Sequence, residues 1–173
     1  METMHRAARD KILLTRFLYV DHGGVVRGKA AATGRLAERI DSGIGHTRAM
    51  MAMSMVDELA PVDGMGPVGE VRIKPDPSTF VGLPYAPGAG AMLADQVNPD
   101  GSAWDGCART FLKQAIAELA GEGYELQASF EPEFTLGRYE GASLAPIDES
   151  LCYSLTGFHL AHDYTIDLVD ALI

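Results

Sequence analysis

The sequence predicts an α+β fold in two parts: a strand-rich domain over residues 1–99, then the start of a second α+β domain over residues 100–173. Three observations predict it. Short apolar runs broken by Gly, Pro and Asp fill the first hundred residues, as strands and turns require. Asn98-Pro99-Asp100-Gly101 is a turn cluster suited to a domain boundary. Beyond it, Ala108, Leu112, Ala115, Ile116 and Leu119 recur at three- and four-residue spacing, the mark of an amphipathic helix over 105–120.

In order along the chain, Ile12 to Val20 and Val25 to Gly28 flank Asp21-His22-Gly23-Gly24 and read as a β-hairpin. Ala31 to Asp41 carries Leu36, Ala37 and Ile40 on one side of a short helix, ended by a loop from Ser42 through Gly45. Met50, Met51, Met53 and Met55 form a sulfur-rich stretch without interleaved His or Cys, which favours core filling over a soft-metal site. Val68 to Lys74 alternates as a strand and stops at Pro75-Asp76-Pro77, where proline interrupts the ladder. Ala91 to Val97 reads as a further strand. After the predicted helix, Phe130-Glu131-Pro132-Glu133-Phe134 reads as a strand with one polar and one apolar face. Gly137 to Glu149 reads as loop, Leu151 to Leu155 as a short returning strand, and a last helix begins near Ala161. That helix reaches Ile173 with Asp167 and Asp170 in its final turns and no Gly or basic cap, so the pattern predicts a chain stopping inside a domain.

Composition excludes several function classes. With 47% hydrophobic residues among 173, the chain has enough apolar material for a core. Its formal net charge of −10 argues against nucleic acid or an anionic membrane surface as partner. No apolar run approaches the roughly 20 residues needed to span a bilayer, and no signal core precedes Asp10, so a cytoplasmic location is expected. Cys107 and Cys152 lack paired spacing, which fits free thiols. No phosphate-binding Gly-Lys-Ser/Thr loop, dinucleotide fingerprint or nucleophile elbow is present. His159 and His162 stand three apart and read as the polar start of the last helix.

The paired glutamates leave two readings open. Residues i and i+2 of one strand face lie roughly 6.5–7 Å apart, a spacing that serves two neighbouring divalent ions. Mg²⁺ and Mn²⁺ take carboxylate oxygens together with substrate phosphates. Alternating acids also mark an ordinary solvated strand face.

Several stretches taken together resemble the first part of a glutamine synthetase-type enzyme. They are Phe17-Leu18-Tyr19-Val20-Asp21 through Gly28-Lys29, Gly69-Glu70-Val71-Arg72-Ile73-Lys74-Pro75-Asp76-Pro77-Ser78-Thr79, Leu83-Pro84, Asp100-Gly101, and above all Phe130-Glu131-Pro132-Glu133-Phe134. The resemblance implies a β-grasp N-terminal domain over 1–99 and the incomplete beginning of a catalytic domain over 100–173. It implies ATP-dependent phosphorylation of the glutamate γ-carboxylate, then displacement by ammonia or a primary amine to form an amide. Glu131 and Glu133 match the family's ligands to different members of a divalent cluster, Mg²⁺ or Mn²⁺, whose role is to neutralise the transferred phosphoryl group. Tyr153 lies where the family places a tyrosine near the nitrogen nucleophile. Asp76 matches the aspartate of a Pro-Asp-x-Ser-Thr element that leans on the neighbouring subunit's site, and a turn-capping role suits it equally. A homo-oligomeric ring is implied for the full-length enzyme.

Two departures qualify the resemblance. Ammonia-using members carry an Asp-Gly-Ser-Ser loop that the region around Gly45-His46-Thr47-Arg48-Ala49 lacks, which favours the branch joining glutamate to a larger amine. The chain also stops before the remaining metal ligands, the glutamate-binding arginine and most of the nucleotide pocket. The expectation is therefore a polypeptide without ligase activity by itself. The competing expectation is a non-catalytic β-grasp module that docks onto a full-length relative.

Overall fold

A computed structural model describes residues 2–172. The chain divides into two compact units, Met1–Leu126 and Gln127–Ile173.

The first unit is a mixed sheet with helices, an α+β arrangement. After helix α1 (Glu2–Arg9), strands β1 (Leu14–Val20) and β2 (Val26–Ala32) form the expected hairpin. Asp21 closes its loop, accepting from the backbone N–H of Val25 through one carboxylate oxygen and from Arg27 through the other. A 3₁₀ turn (Thr33–Arg35) leads into α2 (Leu36–Ser42), then β3 (Ile44–Thr47), β4 (Glu70–Pro75), the two-residue β5 (Val81–Gly82) and β6 (Ala89–Val97). The sheet order is β2-β1-β6-β4-β3, with β5 also paired to β6. β1 and β6 run parallel, and the other pairs are antiparallel. Helix α3 (Ala108–Gly121) follows as predicted.

Register decides what the sheet buries. Phe17 lies opposite Met92 and Ile73 opposite Gln96, so Phe17, Tyr19, Ile73, Met92 and Ala94 share one face. Leu36 from α2 and Met51 join them in a single core in which Phe17, Leu36, Met51 and Ile73 are wholly buried. Met51 thus fills core as expected, whereas Met55 is exposed. Gly43 ends α2 at φ 68°, and a Cβ there would meet the Ile73 carbonyl oxygen at 2.9 Å. Only glycine meets both demands.

Several local expectations in this unit are revised. The loop expected from Ser42 to Gly45 contains the start of β3, because Ile44 and His46 alternate into the core opposite Ile73 and Val71. The helix expected from Ala31 starts at Leu36, since β2 keeps pairing with β1 as far as Ala32. α1 had no sequence-based expectation; Ala7 anchors it by complete burial.

The second unit differs more. The strand expected over 130–134 is irregular backbone. From 125 to 135 no backbone group makes a backbone hydrogen bond among the described residues, so alternation finds no neighbouring strand to act on. The expected loop over 137–149 instead contains a hairpin, β7 (Gly137–Glu140) with β8 (Ser143–Pro146), turned by Gly141 at φ 66°. The short strand expected over 151–155 is a turn through Tyr153, after which Ser154 caps α4 (Leu155–Leu160) by accepting from the Thr156 N–H. α5 (His162–Leu172) realises the last expected helix. Among the described residues, no helix is long and apolar enough to cross a membrane.

Candidate functional site

Glu131 and Glu133 are exposed in the irregular segment that opens the second unit. Their flanking phenylalanines do not share a face: Phe130 is 93% exposed, whereas Phe134 meets the Tyr164 ring edge-on at 5.8 Å. Phe134 also lines an apolar cavity of about 410 Å³ with Leu136, Ile147, Phe158 and Tyr164.

Two carboxylates are the right donors for a hard divalent cation, but they do not make a cage. Mg²⁺ takes six oxygens in near-octahedral order and a few protein carboxylates at most. Among the described residues no group of three or more His, Cys, Asp or Glu side chains is placed to hold a metal ion. The described residues of the chain therefore do not by themselves fit a complete metal site.

Tyr153 stands in the turn before α4 with φ 59° and a fully exposed side chain. No hydrogen bond among the described residues links its phenol to either glutamate. The free thiol of Cys152 beside it is exposed, and that of Cys107 in the first unit is buried.

Asp76 is already engaged. Its Oδ1 accepts from the Ser78 N–H at 3.1 Å and the Ser78 hydroxyl at 2.6 Å, capping the 3₁₀ turn Pro77–Thr79. Its Oδ2 accepts from Arg109 at 2.8 Å. The Ser78 hydroxyl and the Arg109 guanidinium together hold the Asp76 carboxyl down at about 2. Such a group is a poor proton acceptor near neutral pH. It is well suited to fixing the turn, the second of the two roles its sequence allowed.

Two further polar assemblies stand in the first unit, and neither emerged from the motifs. Both start from adjacent residues of β6, Asp95 and Gln96, whose side chains leave opposite faces of the sheet. Asp95 receives Arg109 at 2.8 Å and Lys113 at 2.7 Å, one turn apart on α3. Because Arg109 also binds Asp76, the guanidinium ties α3 to the sheet at two carboxylates. Gln96 is 1% exposed. Its amide nitrogen lies 3.2 Å from His46 Nε2 and 2.9 Å from the Met51 sulfur, and its backbone N–H donates to the Cys107 thiol at 3.1 Å. Tyr19 packs on the His46 ring at 5.1 Å. Burial, reinforced by the nearby Lys29 charge, pushes the His46 imidazole down to about 4, so it is neutral at pH 7. One signal did exist: two polar residues in the apolar strand Ala89–Val97 each need a buried partner.

Comparisons with known proteins reach over different extents of the chain. The sequence model of a family described as "Glutamine synthetase N-terminal domain" matches residues 1–104. Among curated relatives, a γ-glutamylanilide synthase of Acinetobacter sp is 31% identical over 163 residues, covering 82% of this chain and 33% of the relative. A γ-glutamylpolyamine synthetase of Streptomyces coelicolor is 28% identical over 158 residues, covering 89% of this chain and 34% of the relative. The glutamine synthetase of Halobacterium salinarum is 29% identical over 110 residues, 60% of this chain and 24% of the relative. A crystal structure described as a novel glutamine synthase homolog superposes with a TM-score of 0.59 at 26% identity, over 64% of this chain and 27% of that one. The chain thus spans about a third of the length of the curated relatives it matches over most of its own.

Proposed function

The chain belongs to the glutamine synthetase family, and from that premise we propose that it supplies the N-terminal part of an ATP-dependent ligase joining glutamate to ammonia or an amine. One observation carries the reading. Relatives named for γ-glutamyl amide synthesis align over 82% and 89% of the chain, well past the matched N-terminal domain.

In this reading residues 1–99 form a β-grasp domain and residues 100–173 open a catalytic domain that further residues complete. Glu131 and Glu133 are carboxylate ligands awaiting partners, and Mg²⁺ or Mn²⁺ held with them would neutralise charge on the phosphoryl group transferred from ATP. Tyr153 stands ready to hydrogen-bond the incoming nitrogen. The assembled protein is a cytoplasmic homo-oligomeric ring. Its nitrogen donor is a larger amine rather than ammonia, because an anionic side chain is the natural partner of ammonium and residues 45–49 themselves carry none.

The test joins residues 1–173 to the remaining two thirds of the Acinetobacter relative and measures glutamate-dependent phosphate release with ammonium and with a panel of amines. Release that requires glutamate and an amine is expected. Release independent of glutamate overturns the ligase reading, and preference for ammonium overturns the choice of donor. The 173-residue chain alone should show no glutamate-dependent turnover of ATP; turnover abolished by Glu131→Ala contradicts that.

A second reading is favoured by the first unit's own core, set against a second unit with no buried residue among those described. In it the chain is an assembly module that docks on a full-length relative without catalysis. Size-exclusion chromatography distinguishes the two, since a module elutes as a single species and shifts when the relative is added.

A further inference from the structure

The sheet of the first unit ends on two strands, β2 and β3, each with a neighbour on one side only. Hydrogen bonds at the ends of their ladders fix which backbone groups face outward. The Thr33 N–H donates to the Leu13 carbonyl and the Asp21 N–H to the Val25 carbonyl. Bonded and non-bonded pairs alternate along an antiparallel ladder, so Thr15 with Ala31, Phe17 with Lys29 and Tyr19 with Arg27 are the bonded pairs. The N–H and C=O groups of Val26, Gly28, Ala30 and Ala32 therefore point away from β1. No loop among the described residues receives those N–H groups. On β3 the Arg48 N–H donates to the Gly69 carbonyl, which by the same alternation turns Gly45 and Thr47 outward. The Gly45 carbonyl accordingly receives the Lys29 ammonium from β2 at 2.6 Å.

The two free edges border a cavity of about 570 Å³ whose rim includes Ala30, Ala32, Arg35, Arg39, Gly45 and Arg72. Arg35 and Arg39 share Glu38, Arg72 pairs with Glu70, and Lys29 makes no ion pair among the described residues. Four cations thus face two carboxylates, a local excess of positive charge in a chain whose formal net charge is −10. A free strand edge is a template for another strand unless charge, proline or a bulge blocks it. β2 is seven residues long, exposed along most of its length, free of proline and unbroken in register with β1. Its one blocking device is positive charge, which repels a basic strand and admits an acidic one.

We propose that the free edge of β2 takes up an acidic peptide segment of another protein as an added strand, lying between β2 and β3 with its carboxylates toward Lys29, Arg35, Arg39 and Arg72. Main-chain bonds to Val26, Gly28, Ala30 and Ala32 supply affinity, and alternate side chains meeting the cations supply selectivity. A second copy of the chain fits less well. Pairing through the same edge would set Lys29 and Arg35 against their own kind, and like charges facing each other across a ladder are destabilising.

The probes are acetyl-Glu-Val-Glu-Thr-Glu-Val-amide and its counterparts with glutamine or lysine in place of glutamate, titrated at pH 7 into the ¹⁵N-labelled 173-residue chain without ATP or metal. The acidic peptide is expected to bind saturably and to slow hydrogen exchange at the amides of Val26, Gly28, Ala30 and Ala32. The amides of Arg27, Lys29 and Ala31, already bonded to β1, should not change. The glutamine peptide should bind about tenfold more weakly, and the lysine peptide should not bind. Ala30→Pro removes one outward N–H and leaves the bonds to β1 untouched, so it should weaken the acidic peptide by about tenfold or more. Equal binding of the three peptides, no alternation in the protected amides, or undiminished binding to Ala30→Pro overturns the proposal. Protection of the same amides that rises with protein concentration in the absence of peptide also overturns it, by making a second copy the occupant. The comparison among peptides needs only the unaltered chain, so a variant that fails to fold does not remove the test. Neither ATP nor turnover enters it, so failure here and failure of the ligase reading are separate events.

Discussion

The first unit buries a core of apolar residues, and the second, equally provided with them, does not. Phe17, Leu36, Met51, Val71, Ile73 and Met92 are at most 1% exposed. In the second unit Phe130, Leu151, Leu155, Phe158 and Ile166 all exceed half exposure, and no described residue is buried. A sheet with register on both sides of each central strand can close a core; a hairpin and two short helices cannot. The residues proposed to carry chemistry, Glu131, Glu133 and Tyr153, lie in the unit without a core. Stability and the proposed chemistry are thus separated along the chain.

The largest effect belongs to the sheet. Phe17→Ala should destabilise the first unit by about 3–5 kcal/mol, the range for deleting a buried aromatic side chain. Urea unfolding followed by the fluorescence of Trp104, itself in the core cluster, reads it. A loss below about 1 kcal/mol would show that Phe17 is not at the centre of the core.

Next comes His46. Its folded value of about 4 lies below the unfolded value near 6.5 because burial, then Lys29, disfavours the charged ring. Between those values the unfolded chain binds more protons, so stability rises with pH. The contribution is fully present above about pH 6.5 and lost as pH falls to 4, in all about 3 kcal/mol. His46→Gln should flatten this part of the stability profile, and an unchanged slope would assign it to another group.

Asp76 acts in a lower window. Its folded value of about 2 lies below its ordinary 3.8, so its contribution is present above pH 4 and lost as pH falls to 2. The amount is about 2 kcal/mol. Asp76→Asn should remove that acid-limb slope while leaving the His46 slope between pH 4 and 6.5. Arg109→Met should cost a similar 1–3 kcal/mol by stripping charged hydrogen bonds from two carboxylates. If neither substitution changes the acid limb, α3 is held by packing alone.

The sequence disclosed these two regions unequally, for a physical reason. The β1–β2 hairpin, β4 and β6 were legible because their periodicity is enforced by burial on one face: Phe17 and Tyr19, Val71 and Ile73, Met92 and Ala94; α3 was legible from its three- and four-residue spacing although it buries no residue. In the second unit, alternation across Phe130 to Phe134 promised a strand that no pairing supports, and the turns at Gly141 and Tyr153 override weak local preference. The β7–β8 hairpin was illegible because Arg138, Tyr139 and Glu140 alternate no apolar face. Site residues divide similarly. The role of Asp76 as a cap follows from Asp-Pro-Ser, but its third hydrogen bond depends on Arg109, thirty-three residues away and invisible in spacing. The His46–Gln96 pair is separated by fifty residues and is joined only by sheet order.

The smallest expected effect is the most informative about the glutamates. Both side chains are exposed and make no ion pair among the described residues, so Glu131→Gln and Glu133→Gln should each change the urea midpoint of the chain negligibly, within about 0.5 kcal/mol. The same substitutions in the fusion that supplies the relative's remaining residues should lower glutamate-dependent turnover by a factor of ten or more, since each removes a negative charge from a site proposed to hold divalent cations. Near-zero cost in the chain together with large cost in the fusion means that the carboxylates are carried by this polypeptide without supporting it. A loss of stability comparable to that of Phe17→Ala would place them in a structural contact within the chain. Unchanged turnover in the fusion would return Glu131 and Glu133 to the alternative their alternation first allowed, a solvated acidic face.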